Sequence, residues 1–320
     1  MAQDVHCIIG ASGQLGTEMA LSLKAAGERV VLMDIKSPSH DGILDLPFEQ
    51  TDVCDLQGLA HRLSKHNVSH VHHFAAALSA RGETEPQWAW DLNMRGLLNV
   101  LEIAAGVDGL AQVFWPSSIA VFGPGSGAWA AQDGHRLPGT VYGISKNAGE
   151  QWCNWYHRHR GVDVRSVRYP GLIGTHAPPG GGTTDYAVEV FDHLNDAEPY
   201  TCFLAEDTQL PMMHMDDAVL AITQLMSVPR SALRCTEAYN IQAMSFDPAT
   251  LFAEIRRHVP NFRYRCAPDF RQDIAAGWPG ALEDSMARED WGWKPTVDLP
   301  ELVTSMIAAR KGQPQLSQPT

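Results

Sequence analysis

Short apolar runs alternate with stretches of helical period through the first half of the chain. VHCII at 5–9 stops at a glycine turn, GASGQLG, and QLGTEMALSLKAAG then repeats its apolar residues at helical spacing before ending on Gly27. RVVLMD at 29–34 predicts a second strand, LAHRLSKH a helix, VSHVHHF at 68–74 an extended segment, and PQWAWDLNMRGLLNVLEIAAG a long helix. AQVFWPSS is extended again, YGISKNAGEQWCNWYH is helical, and DVRSVRYPG at 163–171 supplies a further strand. Alternation of this kind predicts a parallel sheet with helices on both faces.

Beyond about residue 172 the pattern loosens. Glycine- and proline-containing connections separate helical pieces at 214–227, 248–258 and 299–310. The expectation is an α/β fold: a doubly wound Rossmann sheet within 1–170, joined by returning segments, a smaller substrate-binding lobe mainly within 171–310, and a flexible polar tail at 311–320.

Charge and cysteine usage narrow the partners. The chain of 320 residues carries a formal charge of -13, which disfavours nucleic acid and anionic membranes and leaves a small molecule as the expected partner. Six cysteines, at 7, 54, 153, 202, 235 and 266, form no CxxC pair. They read as reduced thiols, and with no leader and no long apolar run the expected location is the cytoplasm.

The glycine turn brings in the first chemistry. Gly10, Gly13 and Gly16 lie directly after a strand and before a helix, so that Gly13, Gln14, Leu15 and Gly16 offer backbone N–H groups and a positive helix end to a pyrophosphate. Asp34 ends the second strand, where a carboxylate accepts both hydroxyls of an adenosine ribose and repels a 2′-phosphate; NAD is therefore expected over NADP, although Lys36 stands nearby. The alternative for Asp34 is a turn or helix cap. Asp52 and Val53 in TDVCD are candidates for the adenine, or simply a turn and a strand residue.

Tyr142 and Lys146 in TVYGISK share one helix face, and a fixed ammonium favours the phenolate form of a neighbouring tyrosine. FWPSSIAVFGP upstream ends a strand on two serines, either turn caps or a hydroxyl that binds a reacting oxygen. Glycine turn, strand-end serine and YxxxK in this order resemble the extended short-chain dehydrogenase/reductase family. In that register SIAVFG aligns Ser118 as the active serine, and Asn93 in DLNMRG matches the helix asparagine beside the cofactor, with a helix-interior polar bond as its other reading.

RYPGLIGTHAPPGGGTTDYAVEVF places proline and glycine where nucleotide-sugar enzymes of this branch carry an asparagine. That stretch, with QWAWDLNMRGLLNVLEIA, YGISKNAGEQW, LPMMHMDDAV and EDWGWKP, resembles the short-chain L-threonine 3-dehydrogenase family from residue 5 to about 310. The resemblance implies NAD-dependent oxidation of L-threonine at its β-carbon, with Tyr142 as base, Ser118 on the hydroxyl, Lys146 on the nicotinamide ribose and Leu172 facing the nicotinamide. The family tends to pair through a helix bundle, so the resemblance implies a homodimer with the helices at 87–105 and 142–160 as its candidate seam, while the sequence leaves a monomer and a tetramer as alternatives. Ser79, Thr184 and Asp185 are the candidates for holding the amino acid, with Trp278 closing the site and PGGGTTDYA as a hinge. Thr184 and Asp185 also read as a helix N-cap, and Trp278 as packing. His214 departs from the family, which commonly has tyrosine there. No metal is expected: alternation in HNVSHVHH splits His72 from His73 onto opposite faces, and no cysteine ligand accompanies them.

Overall fold

The computed structural model describes residues 4–106, 109–175 and 182–311. Six strands, β1 (Val5–Ile9), β2 (Arg29–Asp34), β3 (Phe48–Gln50), β4 (His70–His73), β5 (Gln112–Phe114) and β6 (Val164–Arg165), form a parallel sheet in the order β3-β2-β1-β4-β5-β6. Successive residues of β1 and β2 feed opposite cores: Ile8, Val30 and Leu32 enter one, Cys7, Ile9, Val31 and Met33 the other. Burial on both faces is why these strands read as continuous apolar runs. Strand order reverses between β1 and β4, and a crevice at the carboxyl ends of the strands follows from that reversal.

The helix Gln14–Ala25 and the helix Met215–Ser227 cover one face, and Leu56–Lys65, Gly96–Gly106 and Val141–Arg160 cover the other. Past β5 and β6 the same two segments pair again, Ser117 with Arg168 and Ser118 with Tyr169, and Tyr239–Asn240 adds beside Val167–Tyr169. The stretch at 163–171, which reads as one strand, is thus broken at Ser166 and Pro170. Gly171–Ile173, Leu210–His214 and Met244–Phe246 make a second sheet, and Tyr200–Cys202 pairs with Tyr264–Cys266. These close around a separate core with Tyr186, Phe252, Leu302 and Met306.

The helix expected around Asn93 contains a wide turn, Asp91–Arg95, between Pro86–Trp90 and Gly96–Gly106. That widening marks functional helices more often than others. His214, buried, caps Met215–Ser227 by accepting from Asp216 N at 3.2 Å, and its other ring nitrogen lies 3.3 Å from Ser305 Oγ. No helix among the described residues is long and apolar enough to cross a membrane.

Candidate active site

The turn after β1 is built for close backbone approach. Gly10 adopts φ +87, and a Cβ there would lie 2.5 Å from Ala75 N; a Cβ on Gly16 would lie 2.2 Å from Gly10 O. Both residues must therefore be glycine for the turn to pass under β4 and the helix to seat on the strand. Helix Gln14–Ala25 starts at Gly13 with no side-chain cap, so its first-turn N–H groups face a cavity of about 470 Å³ that Gly10, Gly13, Gln14, Leu15 and Gly16 line. A backbone cradle that excludes a Cβ at Gly10 and at Gly16, at a helix N-terminus without a side-chain cap, fits a dinucleotide pyrophosphate.

Asp34 stands one step from this cavity. Its carboxylate accepts from Ser12 N and Lys36 N, both at 3.0 Å, and Ser12 and Lys36 line the cavity themselves. Asp52 and Val53 do not line it. Asp52 accepts from Cys54 N at 2.9 Å, and buried Val53 gives its carbonyl to Asn99 Nδ2, also at 2.9 Å. Asn93 is likewise behind the wall: Oδ1 accepts from Ala77 N at 2.7 Å, and Nδ2 donates to Ser145 Oγ at 3.0 Å. It ties the loop after β4 to the helix that carries the tyrosine.

That helix, Val141–Arg160, begins at Thr140, whose hydroxyl accepts from Gly143 N, and ends at Gly161 with φ 70. Tyr142 and Lys146 both line the cavity, together with Ser118. Burial pushes the Tyr142 phenol up to about 12, against a hydrogen bond with Ser118 that favours the charged form. Lys146 Nζ donates to Pro116 O at 2.6 Å and lies 4.5 Å from the Trp115 ring centroid and 5.5 Å from that of Tyr142. Burial draws its pKa down to about 7, while Cys153 and Glu150 push it back up. Ser118 also accepts from Ala120 N at 3.2 Å, so it caps a turn and faces the cavity at once.

The second half of the chain supplies the opposite wall. Leu172, Thr184, Asp185 and Trp278 line the cavity, joined by Tyr169, Thr183 and Met215. Asp185 precedes the short helix Tyr186–Glu189 without capping it through its side chain, and it accepts from Gly182 N at 2.7 Å. Ser79, buried on the first half, meets Thr183 Oγ1 at 3.1 Å, a bond across the two walls. Thr183 was not among the sequence candidates, although it is the neighbour of one. The first glycines of PGGGTTDYA, 180 and 181, lie outside the described residues, so the hinge reading rests on Gly182 alone.

His70 and His72 stack with His6 on one face of β4, at centroid distances of 4.6 and 5.4 Å, while His73 points to the other. Among the described residues no group of three or more His, Cys, Asp or Glu is placed to hold a metal ion.

A sheet of this order, with a dinucleotide cradle opening onto Ser118, Tyr142 and Lys146, has the build of a short-chain dehydrogenase. Residues 6–242 match the NAD dependent epimerase/dehydratase family, and the chain belongs to it. It is similar to a mitochondrial L-threonine 3-dehydrogenase of Sus scrofa, 41% identical over 94% of this chain and 81% of the relative. A solved GalE-like L-threonine dehydrogenase from Cupriavidus necator, in its holo form, is 51% identical over 95% of this chain and 98% of that one, with a TM-score of 0.91. A monomeric L-threonine 3-dehydrogenase from a metagenome, in its apo form, is 40% identical over 96% and 99%, with a TM-score of 0.90. The protein is thus an NAD-dependent dehydrogenase of the short-chain type, and NAD is the cofactor its cradle takes.

Proposed function

We propose that the protein oxidises L-threonine at its β-carbon to 2-amino-3-oxobutyrate. One observation carries this reading. Asp185 is the only carboxylate among the described lining residues of the cavity, and Ser79, Thr183 and Thr184 add hydroxyls to the same lining, with Ser79 Oγ 3.1 Å from Thr183 Oγ1. A carboxylate for an ammonium and hydroxyls for a carboxylate are what a small zwitterion needs. Among the described lining residues the only cations are Lys36 and Lys146, one toward each half of a bound dinucleotide in this reading, and neither is left for a second nucleotide diphosphate. The threonine dehydrogenases among its relatives support the same substrate.

In this reading the N–H groups of Gly13, Gln14, Leu15 and Gly16 hold the pyrophosphate, Asp34 the adenosine ribose, Lys146 the nicotinamide ribose, and Leu172 packs on the nicotinamide side. Bound NAD would supply the hydride acceptor for the β-carbon and a positive ring beside the phenol. Ser118 holds the β-hydroxyl oxygen, and Tyr142 Oη takes the hydroxyl proton with the Lys146 ammonium beside it. Asn93 contributes by fixing the loop and helix it joins, while Asp52 and Val53 stay outside the chemistry unless the adenine reaches their loop. Trp278 closes the end of the pocket. Purified protein with NAD is given L-threonine, with serine and UDP-galactose as controls, and NADH is followed by absorbance. Threonine-dependent NADH supports the reading, and its absence sinks it.

We also propose self-association in a reducing, cytoplasmic compartment. All six cysteines are free, and Trp88, Trp90, Ile144, Trp152 and Trp155 are exposed on the helices Pro86–Trp90 and Val141–Arg160. Large aromatic residues left in water on adjacent helices favour a partner. Sedimentation of the wild type should give a dimer and Trp155→Glu a monomer; a monomeric wild type rejects the idea.

A further inference from the structure

Behind the Ser–Tyr–Lys trio lies a charged cluster that the reaction as written does not use. Glu150 follows Tyr142 and Lys146 at successive four-residue steps of one helix and is fully buried. Its Oε1 accepts from Ser117 Oγ at 2.5 Å and from Arg168 Nε at 2.9 Å; its Oε2 accepts from Arg168 Nη2 at 2.9 Å and from Arg136 Nη1 at 2.6 Å. Arg168, also buried, donates to Gln132 O at 2.7 Å and Asn240 Oδ1 at 2.9 Å, and Arg136 pairs outward with Glu237. The cluster therefore joins the catalytic helix to the strand of Ser117–Ser118, to Val167–Tyr169 and to Tyr239–Asn240.

We propose that Glu150 is a positioning residue for the reaction: it fixes Ser117, and through it Ser118, against the catalytic helix, and it places a permanent negative charge one turn from Lys146. This rests on the functional reading of the trio given above. Burial alone disfavours the Glu150 charge, but Arg168, Ser117 and Arg136 outweigh it and hold the carboxyl below its usual range. Lys146 in turn feels Glu150 and Cys153 on its own helix, His73 on β4 and the Tyr142 phenol; Arg168 and Arg136 stand beyond Glu150. Removing the carboxylate strips Arg168 of the carboxylate it pairs with and leaves Arg136 to Glu237 alone, so the net charge behind the ammonium turns more positive. Removing Arg136 does the reverse, and its side chain is partly exposed, so the fold tolerates its loss more readily.

Two readouts separate this idea from a simple structural role and from the choice of substrate. The first is direct titration of Lys146, by acetylation with acetic anhydride across pH and mass spectrometry, and it requires no turnover. Glu150→Gln should lower the midpoint by about one unit, the scale of a lost neighbouring charge, and Arg136→Gln should raise it. The second is kcat with threonine and NAD, which should fall at least tenfold in Glu150→Gln and be largely restored in Glu150→Asp. Ser117→Ala should lower kcat without moving the Lys146 midpoint. If Glu150→Gln does not fold, the Arg136→Gln shift decides alone. A midpoint unmoved in the folded Glu150→Gln and Arg136→Gln variants overturns the proposal, whereas a wild type inactive on threonine with the midpoints moving as stated overturns only the substrate.

Discussion

Gly13 and Gly16 look alike in sequence but answer to different physics, and alanine separates them. At Gly13 the backbone has φ -82 and ψ 171, which alanine adopts freely, and the added Cβ would meet only Gly10 O, at 3.4 Å. Stiffening the unfolded chain stabilises by about 0.4–1 kcal/mol, and a poorer helix cap removes a similar amount, so Gly13→Ala should leave stability within about 0.5 kcal/mol of wild type. The methyl would, however, stand over the first-turn N–H groups. Losing one hydrogen bond to a charged ligand costs about 1.5–3 kcal/mol, which is about a 10- to 100-fold loss of NADH affinity. At Gly16 the Cβ would sit 2.2 Å from Gly10 O and 2.9 Å from Ala11 Cα. Strand and helix must part by about 1 Å, and overpacking of this kind costs about 1–3 kcal/mol of stability. Urea midpoints and NADH fluorescence titrations on both variants test the pair. Wild-type NADH affinity in Gly13→Ala would refute the placement of the pyrophosphate over Gly13, and an unchanged midpoint in Gly16→Ala would refute the packing argument.

Tyr142→Phe should abolish threonine-dependent NADH formation, by about a thousandfold or more, with NADH affinity within a few-fold of wild type; appreciable residual turnover rejects the phenol as base. Because that phenol must lose a proton, and burial pushes it up to about 12 in the free protein, kcat/KM should rise with pH from neutrality upward, and a profile that falls instead contradicts the assignment. Asp34→Asn should weaken NAD binding and improve NADP relative to NAD, read as the ratio of the two dissociation constants; an unchanged ratio removes Asp34 from the ribose site. Burial lowers His73 to about 3 and His6, helped by His70, to about 4, and it also depresses His72. Below about pH 6.5 these imidazoles gain protons only when the chain unfolds. Stability is therefore full above that pH and falls by up to about 1.4 kcal/mol per unit for each group as pH drops toward the folded values. A urea midpoint as high at pH 5 as at pH 7.5 rejects this.

Period and punctuation made the fold legible. β1, β2 and the helices Gln14–Ala25 and Val141–Arg160, which follow the first and fifth strands of the sheet, were readable because burial on two faces leaves uninterrupted apolar runs and because Gly27 and Gly161 stop those helices in the left-handed region. Phe48–Gln50 was missed: an edge strand of three half-exposed residues has neither alternation nor an apolar run to betray it. Helical spacing picked out Tyr142 and Lys146, and the family resemblance picked out Ser118, Thr184 and Asp185; the structure brings all five to the lining of one cavity. Asp52, Val53 and Asn93 do not line that cavity: Asp52 accepts from Cys54, the Val53 carbonyl accepts from Asn99, and Asn93 bonds Ala77 and Ser145, partners that no sequence pattern shows. Glu150 and Arg168 escaped notice for the same reason. Their meeting joins residues far apart in the chain, and each alone reads as a surface charge.

The core on one face of the cofactor sheet has a consequence for biosynthesis. Ile8 and Phe114 lie under Met213, Ala218, Ile222, Leu225, Trp291 and Trp293, all contributed by the second half of the chain. A ribosome making about 5–20 residues per second has finished the six parallel strands about 6–26 s before Trp293 is added. Through that interval the helix Gln14–Ala25 alone covers this side, and the hydrocarbon that Met215–Ser227 and the two tryptophans later bury stays open to water. The nascent protein thus depends on chaperone shelter for longest where its cofactor half is already complete in sequence.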